Sequence, residues 1–196
     1  MSKQVDFYFD FGSPTSYLAW TQLPKITREA GAKLNLIPIL LGAVHKATSN
    51  TSPATIPRKA VWMDQDLKRY AARYQEPYKH NTHFPINTMH LMRGATGYQM
   101  YKAAAFDTYA AAIYRAMWVD GENLGDHDVL VEVLQRGGLD PNEFATFIQD
   151  PAVKDKLRLD TDAAIERGIF GAPTMFVGDQ MHFGQDRLEF VKEALQ

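Results

Sequence analysis

Val5-Asp6-Phe7-Tyr8-Phe9-Asp10-Phe11-Gly12-Ser13-Pro14-Thr15-Ser16 is the stretch that decides the fold. Val5 to Phe9 combines β-branched and aromatic residues and reads as a strand. Asp10 to Ser13 breaks it. Ser13 before Pro14 reads as a helix N-cap followed by proline at the first helical position, where an N–H would lack a partner anyway. Ala19, Leu23, Ile26 and Ala30 then recur at helical spacing, and Gly31 ends the run. Leu34 to Leu41 reads as a second strand, with Pro38 marking an edge or an end. Strand, helix, strand in this order predicts a parallel pair joined by a crossover.

The remainder of the chain is mostly helical in pattern. No convincing strand lies between about Pro57 and Gln149. Lys59 to Tyr74 is amphipathic, and Gly97 to Val119 forms a long alanine-, tyrosine- and methionine-rich helical stretch. Asp126 caps a further helix that stops at Gly137-Gly138, and Asp140-Pro141 starts another. Asp150-Pro151 opens a helix ending near Gly168. Pro173 to Val177, a Gly178-Asp179 turn and Met181 to Phe183 follow as two strands, and a closing helix starts at about Asp186. The order is β-α-β, a helical insertion, then α-β-β-α. With no repeat and no low-complexity linker, the insertion is expected to pack against the core.

Composition narrows the function classes. A chain of 196 residues that is 45% hydrophobic suits one domain with a large insertion. Its 21 basic and 23 acidic residues show no run of like charge, which leaves no electrostatic footprint for nucleic acid or an acidic membrane. The absence of cysteine excludes disulfides, a Cys-based redox couple and thiolate-ligated metal. The histidines show no H-E-x-x-H or comparable spacing, so no metal site is expected. The N-terminus lacks a basic-then-apolar signal pattern, and no apolar run approaches membrane-spanning length. A soluble, cytoplasmic protein is the expectation.

Asp10 to Ser16 follows the first strand where a thiol redox protein of the thioredoxin kind carries Cys-x-x-Cys. Gly171-Ala172-Pro173-Thr174-Met175-Phe176-Val177 reads as the proline-led strand facing such a motif. Here a serine stands at the thiol position, and the simplest use of the scaffold is to bring the sulfur in on a ligand, with glutathione the obvious candidate. A thiol at a helix N-terminus meets the positive end of the dipole, worth about 0.3–2 kcal/mol for an anion. A hydroxyl donated to a thiolate adds about 1–2 kcal/mol. Together these would lower the thiol pKa from about 8.5 toward neutrality. Phe-Gly-Ser-Pro-Thr lacks the second glycine of a G-x-S-x-G elbow, which disfavours Ser13 itself as a covalent nucleophile.

Phe7 through Leu18, Asn50 through Lys59, and Gly171-Ala172-Pro173-Thr174 with Phe183-Gly184-Gln185-Asp186-Arg187-Leu188 together resemble the 2-hydroxychromene-2-carboxylate isomerases. These are relatives of the kappa-class glutathione transferases within the DsbA-like thioredoxin superfamily. The resemblance runs nearly end to end. It implies an α/β, thioredoxin-like fold with a large all-helical insertion: residues 1–56 and 150–196 form the thioredoxin-like domain and 57–149 the insertion. It implies a glutathione-dependent isomerase of aromatic catabolism, working as a homodimer on a small aromatic substrate.

The same resemblance assigns residues. Ser13 would stabilise the glutathione thiolate. The Ala172-Pro173 bond would be cis, with the Ala172 backbone offered to the ligand as a short β-pair. Asn50 and Lys59 would contact glutathione, Lys59 through a carboxylate, and Gln185 with Asp186 would hold the γ-glutamyl end. Arg187 is expected in a structural salt bridge. His45, Lys46 and the segment His80 to Asn87 would wall a substrate cavity between insertion and core, with Lys46 a candidate for a substrate carboxylate and Asn87 for a polar contact. Tyr98, Tyr101, Tyr109, Met117 and Trp118 are expected in the helix core. Two other readings stay open: a kappa-class-like transferase that conjugates glutathione to electrophiles, and a redox-inactive peptide-binding module using the Pro173 edge.

Overall fold

The structure, a computed structural model, describes residues 3–196. β1 (Gln4–Phe9) runs into α1 (Pro14–Glu29) and returns through β2 (Lys33–Pro38), the parallel crossover that the opening residues predict. Ser13 is extended at φ −100°, and its Oγ accepts the Ser16 N–H at 3.1 Å, so it caps α1 as expected. Val5, Phe7 and Phe9 are essentially inaccessible on one face of β1, and Tyr8 is buried on the other. A strand buried on both faces belongs in the middle of a sheet, and the strand order is β2-β1-β3-β4. β3 (Thr174–Val177) runs antiparallel to β1, and β4 (Gln180–Phe183) forms a hairpin with it through the Gly178-Asp179 turn.

The second strand is shorter than its apolar run suggested. It stops at Pro38, and Leu41 instead starts α2 (Leu41–Ala47). Pro38 lacks the N–H that a longer ladder needs. A buried acceptor also draws the chain away, because the Leu41 N–H donates to Asp10 Oδ2 at 2.9 Å. α3 (Pro57–Tyr74) begins with proline at its first position and ends at Gln75, whose φ is 58°.

The long helix expected over 97–119 is broken into pieces: α4 (Met89–Tyr101), a 3-10 turn at Ala103–Ala105, α5 (Phe106–Arg115) and a π turn at Ala116–Asp120. Good helix formers fill the junction, and Lys102 leaves helical geometry at φ −144° without a glycine or proline to signal it. Packing explains the break. A Cβ on Gly94 would lie 2.3 Å from the Tyr109 hydroxyl and 2.5 Å from Phe144, so α4 is pressed directly onto α5 and α7 (Pro141–Gln149). α6 (His127–Arg136), α7 and α8 (Pro151–Glu166) start at Asp126, Asp140 and Asp150, each carboxylate accepting a backbone N–H two residues on. α9 (Leu188–Ala194) closes the chain after a 3-10 turn at Gln185–Arg187, two residues later than expected.

One aromatic core joins sheet to helices. Phe11 meets Tyr114 edge-on at 4.8 Å between centroids, and Tyr98 stacks on Tyr109 at 4.6 Å. Tyr98, Tyr109, Met117 and Trp118 are buried as expected. Tyr101 is not: it is 49% exposed and donates its hydroxyl to Asp150. The insertion therefore packs on the core. The Trp118 indole N–H donates to the Phe11 carbonyl at 2.7 Å, tying the π turn after α5 to the β1–α1 turn.

Candidate active site

The β1–α1 turn is held by Asp10, a carboxylate 2% exposed. Its Oδ1 accepts the Gly12 N–H at 2.9 Å and the Thr88 hydroxyl at 2.7 Å, and its Oδ2 accepts the Leu41 N–H. Three segments distant in sequence thus meet at one side chain: the α1 entry, the start of α2 and the start of α4. Burial raises the Asp10 pKa, against the three donors that favour its ionised form. The sequence contains a signal for this role, since Asp two residues before Gly is an Asx-turn pattern, but nothing local predicts the partners at 41 and 88.

Ser13, 4% exposed, sits at the N-terminus of α1. Its hydroxyl lies 3.0 Å from the Ala172 carbonyl and 2.8 Å from the Thr15 hydroxyl, and Thr15 also donates to Ala172, at 3.3 Å. The Ala172-Pro173 bond is cis, as is Phe84-Pro85. Among the described residues nothing accepts the Ala172 N–H. A serine at a helix N-terminus therefore faces a backbone edge with a free donor, an arrangement that suits a peptide carrying a thiol.

This pair opens onto a cavity of about 760 Å³ between core and insertion. Ser13, Asn50, Asn87, Ala172, Gln185 and Asp186 all line it, which brings most of the expected residues to one place. Asn50 is already engaged, donating its amide to the Phe170 carbonyl at 2.9 Å, and Asn87 accepts the Met89 N–H at 3.0 Å. Gln185 is buried, and its carbonyl accepts the Tyr74 hydroxyl at 2.6 Å. Asp186 pairs with Arg187, the salt bridge expected of that arginine. From the segment expected to wall the cavity, His80, Phe84, Ile86 and Asn87 do so, as does His45; Trp62, Met63, Leu67 and Trp118 add apolar surface that nothing in the sequence assigned to it.

The two expected cations stand elsewhere. No lysine or arginine is among the described residues of the wall. Lys46 and Lys59 are exposed, each next in sequence to a wall residue, His45 and Ala60. Neither side chain is part of the wall. The titratable groups of the wall are instead Asp10, His45, Asp64, Asp66, Tyr78, His80 and Asp186. Among the described residues no group of three or more His, Cys, Asp or Glu could hold a metal ion.

The residues present fit glutathione at three points: a hydroxyl and helix dipole for the sulfur, the Ala172 edge for the peptide, and Asp186 with Gln185 for an ammonium end.

Comparisons with known proteins agree with the fold. Residues 4–196 match the family described as "DSBA-like thioredoxin domain". A "2-hydroxychromene-2-carboxylate isomerase" of Sphingobium xenophagum is 34% identical over 198 residues, covering 100% of this chain and 99% of the relative. A human "Glutathione S-transferase kappa 1" is 25% identical over 211 residues, covering 100% of this chain and 92% of its own length. A solved structure of a 2-hydroxychromene-2-carboxylate isomerase superposes with a TM-score of 0.86 at 32% identity, across 98% of this chain and 94% of that one.

Proposed function

We propose that this chain, which belongs to the DSBA-like thioredoxin family and within it to the 2-hydroxychromene-2-carboxylate isomerases, is a glutathione-dependent isomerase of 2-hydroxychromene-2-carboxylate-type aromatic substrates. The observation that carries the reading is Ser13. In a chain without cysteine, its hydroxyl occupies a helix N-terminus beside the Ala172 edge, at the wall of a mostly apolar cavity.

Bound there, glutathione would supply a thiolate whose reversible addition to a conjugated system turns a locked double bond into a rotatable single one. The chain's own residues do the rest. Ser13 and the α1 dipole stabilise negative charge on the sulfur. Asp186 and Gln185 take the γ-glutamyl ammonium, Lys59 a carboxylate, and Asn50 a polar contact. Trp62, Phe84, Ile86 and Trp118 hold the aromatic part of the substrate and exclude water. Lys46 and Asn87 receive its polar end. On this proposal the thioredoxin-like part comprises 1–56 and 150–196, with 57–149 as the substrate-side wall. A cytoplasmic homodimer is the assembly proposed with it.

Product analysis tests the reading. Incubated with glutathione and a hydroxychromene carboxylate, the protein should form an isomer while free glutathione stays constant. Consumption of glutathione into a conjugate would favour the transferase reading, which the likeness to kappa-class transferases supports.

A further inference from the structure

Isomerising a 2-hydroxychromene requires more than a nucleophile. The compound is a cyclic hemiketal, and its ring holds the double bond cis. The ring must open before any rotation, and opening moves a proton from the hemiketal hydroxyl to the ring oxygen. A group in the cavity wall that can take and return one proton would do this.

Most titratable groups of the wall are committed. Asp10 accepts from three donors. Asp64 is paired with Lys68 at 2.6 Å and lies 3.6 Å from His80, Asp66 lies 3.6 Å from Arg69, and Asp186 is paired with Arg187. Burial and the neighbouring Asp64 raise the Tyr78 hydroxyl far above neutrality. His45 differs. It lines the cavity half-buried, and its imidazole makes no hydrogen bond among the described residues. It lies one helical turn after Leu41, whose N–H is fastened to Asp10, and so on the same face of α2 as that anchor.

We infer that His45 is a catalytic acid–base residue for ring opening, an inference that rests on the isomerase reading. One ring nitrogen takes the hemiketal O–H proton, the O–H electron pair forms the ketone C=O, and the C2–ring-oxygen bond breaks with its pair going to the phenolate oxygen. The imidazolium returns the proton to that oxygen, so no proton is gained or lost. Burial lowers the His45 pKa below 6.5 while the Asp10 charge opposes the drop, which leaves a neutral base at physiological pH.

Ring opening needs no glutathione, so it can be measured alone. Exchange between the ring-closed and open cis forms of a 2-hydroxychromene-2-carboxylate is followed by NMR with the glutathione-free protein, wild type and His45→Gln. The wild type should accelerate exchange about 10²–10⁴-fold more than the variant, with glutathione affinity the same in both. Equal acceleration by both proteins, or none by the wild type, overturns the role of His45. Failure of the isomerase reading looks different: with glutathione added, wild-type protein would open the ring yet yield no trans isomer.

Discussion

The Ser13 hydroxyl donates to the Ala172 carbonyl at 3.0 Å, across 159 positions of sequence, while its oxygen accepts the Ser16 N–H at 3.1 Å. A hydroxyl has one proton. The Ala172 carbonyl at 3.0 Å and the Thr15 hydroxyl at 2.8 Å compete for that proton, and a bound thiolate would draw it away. Thr15 donates to the same carbonyl at 3.3 Å and can keep it satisfied when Ser13 turns.

Thr15→Val removes that second donor without changing side-chain shape. The Ala172 carbonyl then holds the Ser13 proton more tightly, and stabilisation of a bound thiolate should weaken by about 0.5–1.5 kcal/mol, one ordinary hydrogen bond. Isothermal titration with glutathione above and below neutral pH checks this: affinity should fall in Thr15→Val, and fall more at the higher pH. Unchanged affinities would mean that Thr15 takes no part.

Ser13→Cys puts a thiol at the α1 N-terminus, where the dipole lowers its pKa and makes it reactive. Incubated with oxidised glutathione, the variant should form a mixed disulfide detectable by mass spectrometry. A folded variant that resists labelling would mean that position 13 does not present its side chain to the ligand.

Asp10→Ala leaves buried donors at Gly12, Leu41 and Thr88 without an acceptor, at about 1–3 kcal/mol each for those that water cannot reach. Denaturant unfolding should show a loss of several kcal/mol. Asp10→Asn carries a pH signature. Because burial raises the folded-state pKa above the ordinary 3.8, the acid's contribution is full below that value and is lost as pH rises through the folded value. The stability deficit of Asp10→Asn relative to wild type should therefore shrink as pH rises. A deficit that grows with pH would reverse the assignment.

How far the residues spoke for themselves depended on whether their signals were local. Ser13-Pro14, Asp140-Pro141 and Asp150-Pro151 announced helix starts because a cap and a proline act within one turn, and each cap is found where it was read. Leu41 did not announce α2, because the acceptor that anchors it, Asp10, lies 31 positions away. The break after Tyr101 was silent for the same reason: the close approach of Gly94 to Tyr109 and Phe144, not any residue at the junction, decides it. In the candidate site, Ser13, Asn50, Asn87, Ala172, Gln185 and Asp186, named through resemblance, come to line one cavity. Asp10 and Thr88 acquire their partnership only when the chain folds, and nothing local to Lys46 or Lys59 shows that neither lines the cavity.

On the proposed function, Ser13 holds a ligand's thiol as thiolate. The most direct measurement is the ultraviolet thiolate absorbance of bound glutathione against pH, in wild type and in Ser13→Ala, whose lost cap should cost about 0.5–2 kcal/mol and leave the fold intact. The wild-type complex should titrate well below the free-thiol pKa of about 8.5, and the variant complex should move back toward it. A wild-type complex that titrates like free glutathione, or the same titration in both proteins, would contradict it.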